Sequence, residues 1–180
     1  MKKLMLLMLL FSITKINAQN TETKMGPIIE NYGKVFQIES PEFLLKTDKV
    51  YNVIFDIYTD KSKGKSINPL LNTVARYLNM HAQQGVLLKN MNVVIVLHGA
   101  ATKNTLNDSS YQKHFKISNP NTALIEALTK ANVELFVCGQ SYVAHKYQMN
   151  EKSTYVKLAL SALTVLIEYQ TNGYQLITFN

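Results

Sequence analysis

The segment Met91 to Leu97, with the sequence MNVVIVL, constrains the fold of this chain more than any other. All of its residues except Asn92 are apolar, and so few polar positions are typical of a strand that is buried on both faces. Strands of this kind occur in parallel sheets whose two faces are covered by helices. The segment therefore favours an α/β fold.

The segments around this strand alternate between strand and helix patterns. Two Asn-Pro pairs, Asn68-Pro69 and Asn119-Pro120, each place a capping residue before a proline suited to the first helical turn. Apolar residues at helical spacing follow both pairs, and Gly85 ends the first helix. The other predicted elements are strands at Val50 to Tyr58, Val133 to Val137 and Tyr174 to Phe179, and helices at Gln140 to Gln148 and Ser153 to Gln170.

The resulting order, β-α-β-α-β-α-α-β, predicts parallel strands joined by helical crossovers. We expect a three-layer α/β/α sandwich around a mostly parallel sheet of four to five strands. Ligands in such folds bind beyond the carboxyl ends of the strands. His98 and Cys138 each lie where a predicted strand ends.

The first eighteen residues have the pattern of a signal peptide. Lys2 and Lys3 precede the apolar run Leu4 to Ile13, which is shorter than the roughly 20 residues that span a bilayer. A small residue, Ala18, precedes the expected cleavage site at Gln19. We expect an exported protein, periplasmic or secreted, without a membrane span after cleavage; an N-terminal membrane anchor is the alternative. The chain is thus divided into a signal peptide at residues 1–18, an N-terminal extension over the domain at 19–49, and the domain itself at 50–180.

The charge of the chain is only mildly basic. Removal of the three lysines within residues 1–18 lowers the formal net charge from +7 to +4. The remaining lysines are spread along the sequence, whereas nucleic-acid-binding proteins usually carry clustered basic patches. We therefore expect no nucleic-acid partner.

The single cysteine, Cys138, cannot form a disulfide within the chain. It lies in the segment Cys138-Gly139-Gln140-Ser141, between a predicted strand and a predicted helix. Backbone N–H groups and the positive end of a helix dipole favour a thiolate at such a position. The alternative is that Cys138 is a small buried core residue. The histidines do not share with Cys138 the spacing of structural zinc sites, so we expect no metal.

Two further segments lead to expectations about structure. Residues 100–118 are polar and aperiodic, which predicts a loop over the strand ends that is mobile or is ordered only by a neighbouring subunit, with Tyr111, His114 and Phe115 available for ligand contacts. Leu158 to Ile167, with the sequence LALSALTVLI, is apolar nearly all round and predicts a helix buried on more than one side. We expect this helix either in a subunit interface or beneath the N-terminal extension.

Several short motifs resemble the DsrE/DsrF-like family. They are His98-Gly99-Ala100, Asn119-Pro120-Asn121, Val137-Cys138-Gly139-Gln140-Ser141 and Gly173-Tyr174, and the resemblance spans residues 50–180. It implies the three-layer fold, assembly into trimers or hexamers, and a strand-end cysteine that receives sulfur as a persulfide from a donor protein or passes it to an acceptor protein. No cofactor is implied. The residues that we associate with such a site are Cys138 and His98 as catalytic groups and Gly99, Asn119, Gly139, Gln140, Ser141 and Tyr111 as ligand contacts.

Three functions remain open at this stage. The first is an exported sulfur carrier or sulfurtransferase that uses Cys138, with His98 moving a proton. The second is a non-enzymatic module that binds a small ligand. The third is an oligomeric interaction protein without chemistry at a site. Family resemblance alone does not choose among them.

Overall fold

A five-stranded parallel sheet forms the centre of the protein. The computed structural model describes residues 22–179, so the predicted signal peptide lies outside the described residues. The strand order is β6-β5-β4-β3-β7, and every neighbouring pair is parallel. The strands are β3 (Tyr51–Ile57), β4 (Met91–Leu97), β5 (Glu134–Cys138), β6 (Lys157–Ala159) and β7 (Gln175–Thr178).

Helices cover both faces of the sheet, as the apolar strands predict. The larger core contains the side chains of the first four helices, and a smaller core on the opposite face is covered by the fifth. The three-layer α/β/α prediction is therefore confirmed. The helices are α1 (Pro69–Gln83), α2 (Asp108–Phe115), α3 (Thr122–Lys130), α4 (Gly139–Ala144) and α5 (Ala162–Thr171), with 3₁₀ turns at Leu88–Asn90, Gly99–Thr105 and Met149–Glu151.

The segment before β3 packs on α1. It contains a two-stranded antiparallel pair, β1 (Thr23–Lys24) and β2 (Val35–Phe36). The buried Asn79 amide of α1 accepts a hydrogen bond from the backbone of Ile29 and donates to the carbonyl oxygen of the same residue. Gly33 lies so close to α1 that a Cβ there would sit 2.3 Å from the backbone nitrogen of Arg76. Described residues of this segment therefore cover α1, on the face of the sheet opposite α5.

The predicted long helix at Ser153 to Gln170 is wrong in its first half. Residues Lys157–Ala159 form β6, which pairs in parallel with β5, and α5 begins only at Ala162. Ser161 is the N-cap, and its hydroxyl accepts a hydrogen bond from the backbone N–H of Thr164. The continuous apolar run concealed this boundary because a short apolar strand and a segment of an apolar helix have the same sequence pattern.

The predicted loop at residues 100–118 is also wrong. A 3₁₀ turn, Gly99–Thr105, is followed by α2, whose N-cap Asn107 accepts a hydrogen bond from the backbone of Ser110. The short α2 buries only Ser110 and Tyr111, and a 3₁₀ turn has a period of three, so neither shows the 3.6-residue pattern of a longer amphipathic helix.

Helix α5 presents an apolar surface to solvent. Leu163 is 71% exposed and Ile167 is 65% exposed, while Ala162 and Val165 point into the smaller core. The expectation that the N-terminal extension covers this helix is wrong for residues 22–49, because that segment packs on α1. No helix among residues 22–179 is long and apolar enough to cross a membrane.

Candidate functional site at the carboxyl edge of the sheet

Cys138 ends β5 and is the N-cap of α4. Its Sγ accepts a hydrogen bond from the backbone nitrogen of Ser141 at 3.5 Å. The strand-to-helix junction is tight because Gly139 abuts β6: a Cβ there would lie 2.6 Å from the carbonyl oxygen of Ala159. Glycine is thus the residue that lets α4 start directly at the end of the strand.

The Cys138 side chain is buried in the smaller core, with 5% of the residue exposed. The sequence left open a thiolate at a helix amino terminus and a small buried core residue, and the structure combines features of both, because the N-capping sulfur is also buried. Its neighbours in that core include Val96, Ala162 and Val165. Ligands in folds of this kind bind beyond the carboxyl ends of the strands, and Cys138 lies at that edge.

Hydrogen bonds compensate for this burial and favour the thiolate. Burial is the largest influence and raises the pKa of the Cys138 thiol, but donors around the sulfur outweigh it, so that the pKa lies below its ordinary value. The backbone N–H and the hydroxyl of Ser141 contribute most of the lowering. The backbone groups of Ala162 and Gln140 add to it.

The amino terminus of α5 also lies near the sulfur, because Ala162 packs in the same small core as Cys138 and Cys138 pairs with Ala159, shortly before α5 begins. Ala162 is the first residue of α5, and Gln140 and Ser141 belong to the first turn of α4. The first turn of a helix has N–H groups without intrahelical partners, and it carries the positive end of the dipole. Cys138 therefore lies between two helix amino termini, of which only that of α4 was apparent in the sequence.

His98 lies beside Cys138 in the sheet. Leu97 pairs with Val137 in the parallel register, so His98 follows β4 at the level of Cys138. Val96 and Cys138 face the same core, and side chains alternate along a strand, so His98 is on the face that carries Cys138. The two residues are thus one strand spacing apart, about 4.8 Å between backbones.

The imidazole of His98 is bound to a carboxylate rather than to the thiol. Its Nε2 lies 2.7 Å from Oδ1 of Asp56, and both side chains are partly buried. Asp56 belongs to β3, so Asp56, His98 and Cys138 come from three adjacent strands. Sequence reasoning missed Asp56, although a carboxylate inside the apolar strand VIFDIY is a signal of a buried polar contact.

Gly99 and Ser141 connect the ends of β4 and β5. The backbone N–H of Gly99 donates to the Ser141 hydroxyl at 3.2 Å, and the Gly99 carbonyl oxygen lies 2.9 Å from Nε2 of His145. Gly99 has a φ of +52°, and a Cβ there would approach the carbonyl oxygen of Tyr58 to 2.8 Å. The side chain of Gln140 donates to the carbonyl oxygen of Leu160. Six of the eight residues singled out in the sequence are thus brought together at this edge.

Tyr111 and Asn119 are not part of this cluster. The Tyr111 hydroxyl is buried and donates to the carbonyl oxygen of Gly64. The buried Asn119 amide donates to the carbonyl oxygens of Asn104 and Leu106. Both side chains are occupied by structural hydrogen bonds, which corrects the expectation that they contact a ligand.

Asn119 belongs to a buried polar network that holds the loops at this edge. The Asn68 amide bridges the carbonyl oxygen of Thr59 and Oδ1 of Asn104, and Asn104 in turn donates to Asp60. The N-cap of α3 is Asn121 rather than Asn119. The Asn121 side chain accepts a hydrogen bond from the backbone N–H of Asn68. Within residues 22–179, no group of three His, Cys, Asp or Glu side chains is arranged to hold a metal ion.

Comparison with known proteins identifies the family. A model of the DsrE/DsrF-like family matches residues 52–179. Two solved structures are similar in fold: a protein of unknown function, MTH1491, from Methanobacterium thermoautotrophicum, and the ychN protein from E. coli. The first is 17% identical with a TM-score of 0.55, and the alignment covers 72% of this chain and 99% of that one. The second is 16% identical with a TM-score of 0.53, and the alignment covers 72% of this chain and 100% of that one.

No curated protein matched the chain in the sequence comparison. The two structural likenesses establish the fold, while the family match extends over most of the chain and includes the strand-end cysteine. The chain belongs to the DsrE/DsrF-like family.

Proposed function

We propose that this protein carries sulfur on Cys138 as a persulfide, as an exported homo-oligomer. The observation that carries the proposal is the position of Cys138 Sγ between the amino termini of α4 and α5, where hydrogen bonds hold the pKa of the thiol below its ordinary value. A persulfide anion is larger than a thiolate but has the same charge, so the same N–H groups and dipoles favour it.

The transfer step requires only a thiolate and a sulfane-sulfur donor. The Cys138 thiolate attacks the outer sulfur of a donor persulfide, R–S–SH. A new S–S bond forms on Cys138 while the S–S bond of the donor breaks, and the donor leaves as the thiolate R–S⁻. The proton of the incoming persulfide passes to His98, which Asp56 holds in place at the neighbouring strand end. The reverse sequence delivers the sulfur to an acceptor thiol.

Chain composition and surface both support this role. Cys138 is the only cysteine, so a sulfur atom bound to it cannot be lost to an internal disulfide. The exposed apolar side chains of α5, Leu163 and Ile167, provide a surface that association with further copies of the chain would bury. The signal-peptide pattern supports export.

The ligand-binding alternative has less support. Of the three side chains expected to contact a ligand, Tyr111 is buried and His114 is engaged by Glu151. An interaction protein without chemistry is favoured by the apolar surface of α5, but it gives no reason for the hydrogen bonds that converge on Cys138.

The test is sulfur loading followed by intact-mass measurement. Folded protein is incubated with a small persulfide, and we expect a mass increase of one sulfur atom that a reducing thiol removes. Cys138→Ser is the matched control and should gain nothing. In parallel, the rate of iodoacetamide alkylation is measured against pH, and its midpoint should lie below the usual thiol range of about 8.5. A Cys138 that reacts only after unfolding would refute the proposal.

A further inference from the structure

A cavity of about 400 Å³ lies between the segment before β3 and α1. The described residues that line it fall within residues 25–34 on one side and residues 67–76 on the other. Its volume is within the range of pockets that hold small organic ligands. Residues 25–34 lie outside the part of the chain that matches the family model, so family membership does not account for this cavity.

The wall formed by the segment before β3 is held in place by α1. The buried amide of Asn79 donates hydrogen bonds to the carbonyl oxygens of Tyr32 and Gly33. The backbone N–H of Gly33 donates in turn to Oδ1 of Asn72 at 2.9 Å. The cavity is therefore formed by a fixed backbone, and a ligand would not have to order this wall on binding.

Two basic side chains line the cavity, Arg76 of α1 and Lys34. Nε of Arg76 donates to the carbonyl oxygen of Lys34 at 3.0 Å, which orients the guanidinium group against the segment. Among residues 22–179, neither basic side chain has an ion-pair partner. The described lining includes no Asp or Glu. The cavity thus combines two positive charges with the unused Nη groups of Arg76.

The same cavity has an apolar part. Met25, Ile67 and Pro69 contribute to its lining, and Met25 is 43% exposed although it is apolar. Pockets for small molecules are typically lined by apolar side chains together with a few polar groups that fix the orientation of the ligand. The lining therefore suits a molecule with one charged end and one apolar end.

We infer that this cavity binds a small organic anion. Arg76 and Lys34 hold its carboxylate or phosphate group, because the planar fork of a guanidinium matches the oxygen atoms of both groups. Met25, Ile67 and Pro69 contact its apolar body. The site is distinct from the one at Cys138, since the described lining includes none of the residues brought together there.

The test is calorimetric titration of the folded protein with three probes that carry a phenyl ring. 4-Phenylbutyrate presents a carboxylate, phenyl phosphate presents a phosphate, and 4-phenylbutyramide is a neutral analogue of the first. We expect one site per chain for at least one of the two anions, and the tighter of them identifies the preferred acidic group. The amide should bind at least about 10-fold more weakly than the carboxylate or phosphate that binds, which is the effect of losing a hydrogen bond to a charged group.

Three variants locate the binding site. Arg76→Gln should weaken binding of the anion by about 10-fold or more. Lys34→Gln should weaken it by about 2- to 5-fold, as expected for an exposed charge. The Lys34 side chain makes no hydrogen bond or ion pair with another described residue, so this variant remains informative even if Arg76→Gln fails to fold. Lys46→Gln, an exposed lysine of the same segment that does not line the cavity, is the matched control and should bind like the unaltered protein.

Several results would overturn the inference. They are the absence of binding by both anions, equal affinity for an anion and the amide, and equal affinities in Lys34→Gln and Lys46→Gln. Cys138→Ser should bind the anion like the unaltered protein, and a loss of binding in this variant would place the anion at the cysteine instead. Failure of Cys138 to accept sulfur would overturn the proposed function and leave this inference standing.

Discussion

The imidazole Nε2 of His98 lies 2.7 Å from Oδ1 of Asp56 on the adjacent strand, at the edge of the sheet where β5 ends in Cys138. This contact directs one nitrogen of the ring away from the thiol. The donors that lower the pKa of Cys138 come from the two helices and do not include His98. The pKa of the Cys138 thiol and the orientation of the His98 imidazole are therefore set by different groups.

This separation predicts a selective defect in His98→Gln. The alkylation midpoint of Cys138 should stay where it is in the unaltered protein, because the helix N–H groups and Ser141 remain. Loading with a persulfide should slow by at least about 10-fold, the lower part of the range for loss of a general acid or base. Asp56→Asn should act in the same direction. A shift of the alkylation midpoint in His98→Gln would show instead that the imidazole acts on the thiol directly.

Ser141→Ala should change the alkylation midpoint of Cys138, which His98→Gln is expected to leave unaltered. This substitution removes a hydroxyl that lowers the pKa of Cys138. The same hydroxyl accepts a hydrogen bond from the backbone N–H of Gly99. The alkylation midpoint should move to higher pH, and the rate at pH 7 should fall about 2- to 10-fold, the effect of one net hydrogen bond. Ser109→Ala, an exposed hydroxyl on α2, is the control and should change neither. An unaltered midpoint in Ser141→Ala would mean that the backbone donors alone stabilise the thiolate.

The sequence allowed the fold to be predicted where each element had a pattern of its own. The apolar segment at Met91 to Leu97 is a central strand, and the Asn68-Pro69 pair does start α1. The run from Leu158 to Ile167 contains no boundary signal as clear as an Asn-Pro pair. One helix was therefore predicted where β6 and α5 are separate elements. Short elements with small buried faces, such as α2, lack the periodicity on which such prediction depends.

The site was predictable in part for the same reason. A strand that runs into a helix places Cys138 at an N-cap, and this follows from local sequence. The proximity of the α5 amino terminus depends on β6 pairing beside β5, which local patterns do not encode. Tyr111 was assigned to the site as part of a predicted loop over the strand ends, and Asn119 as part of a motif that resembles the family, but here they satisfy buried backbone groups.

Asp60 should make stability depend on pH. Its carboxylate is fully buried beside Lys103 at 3.2 Å. Burial, the largest influence, raises its pKa, but hydrogen bonds from Ser62 and Asn104 together with Lys103 outweigh this and lower the pKa from 3.8. The unfolded chain therefore binds the proton more tightly, so the contribution of Asp60 is complete above about pH 4 and is lost as the pH falls through the folded-state pKa.

Asp60→Asn tests this contribution. At pH 7 it should reduce the free energy of unfolding by about 2–4 kcal/mol, since Lys103 then lacks its partner. The difference between the variant and the unaltered protein should shrink as the pH is lowered below 4, as measured by urea unfolding. A difference that stays constant down to pH 2.5 would show that the loss comes from packing rather than from the charge of Asp60.

The last prediction concerns the apolar surface of α5. If Leu163 and Ile167 lie in an interface between copies of the chain, the double variant Leu163→Lys/Ile167→Lys should dissociate the oligomer, because lysine ammonium groups would have to be desolvated there. Sedimentation velocity should show the processed protein as a trimer or hexamer and the double variant as a monomer. The monomer should keep its helical circular dichroism, since both side chains point away from the smaller core. Leu87→Lys, at an exposed leucine before β4 and outside this surface, should assemble like the unaltered protein. An unaltered protein that sediments as a monomer would refute the proposed assembly, and a double variant that stays oligomeric would place the interface elsewhere.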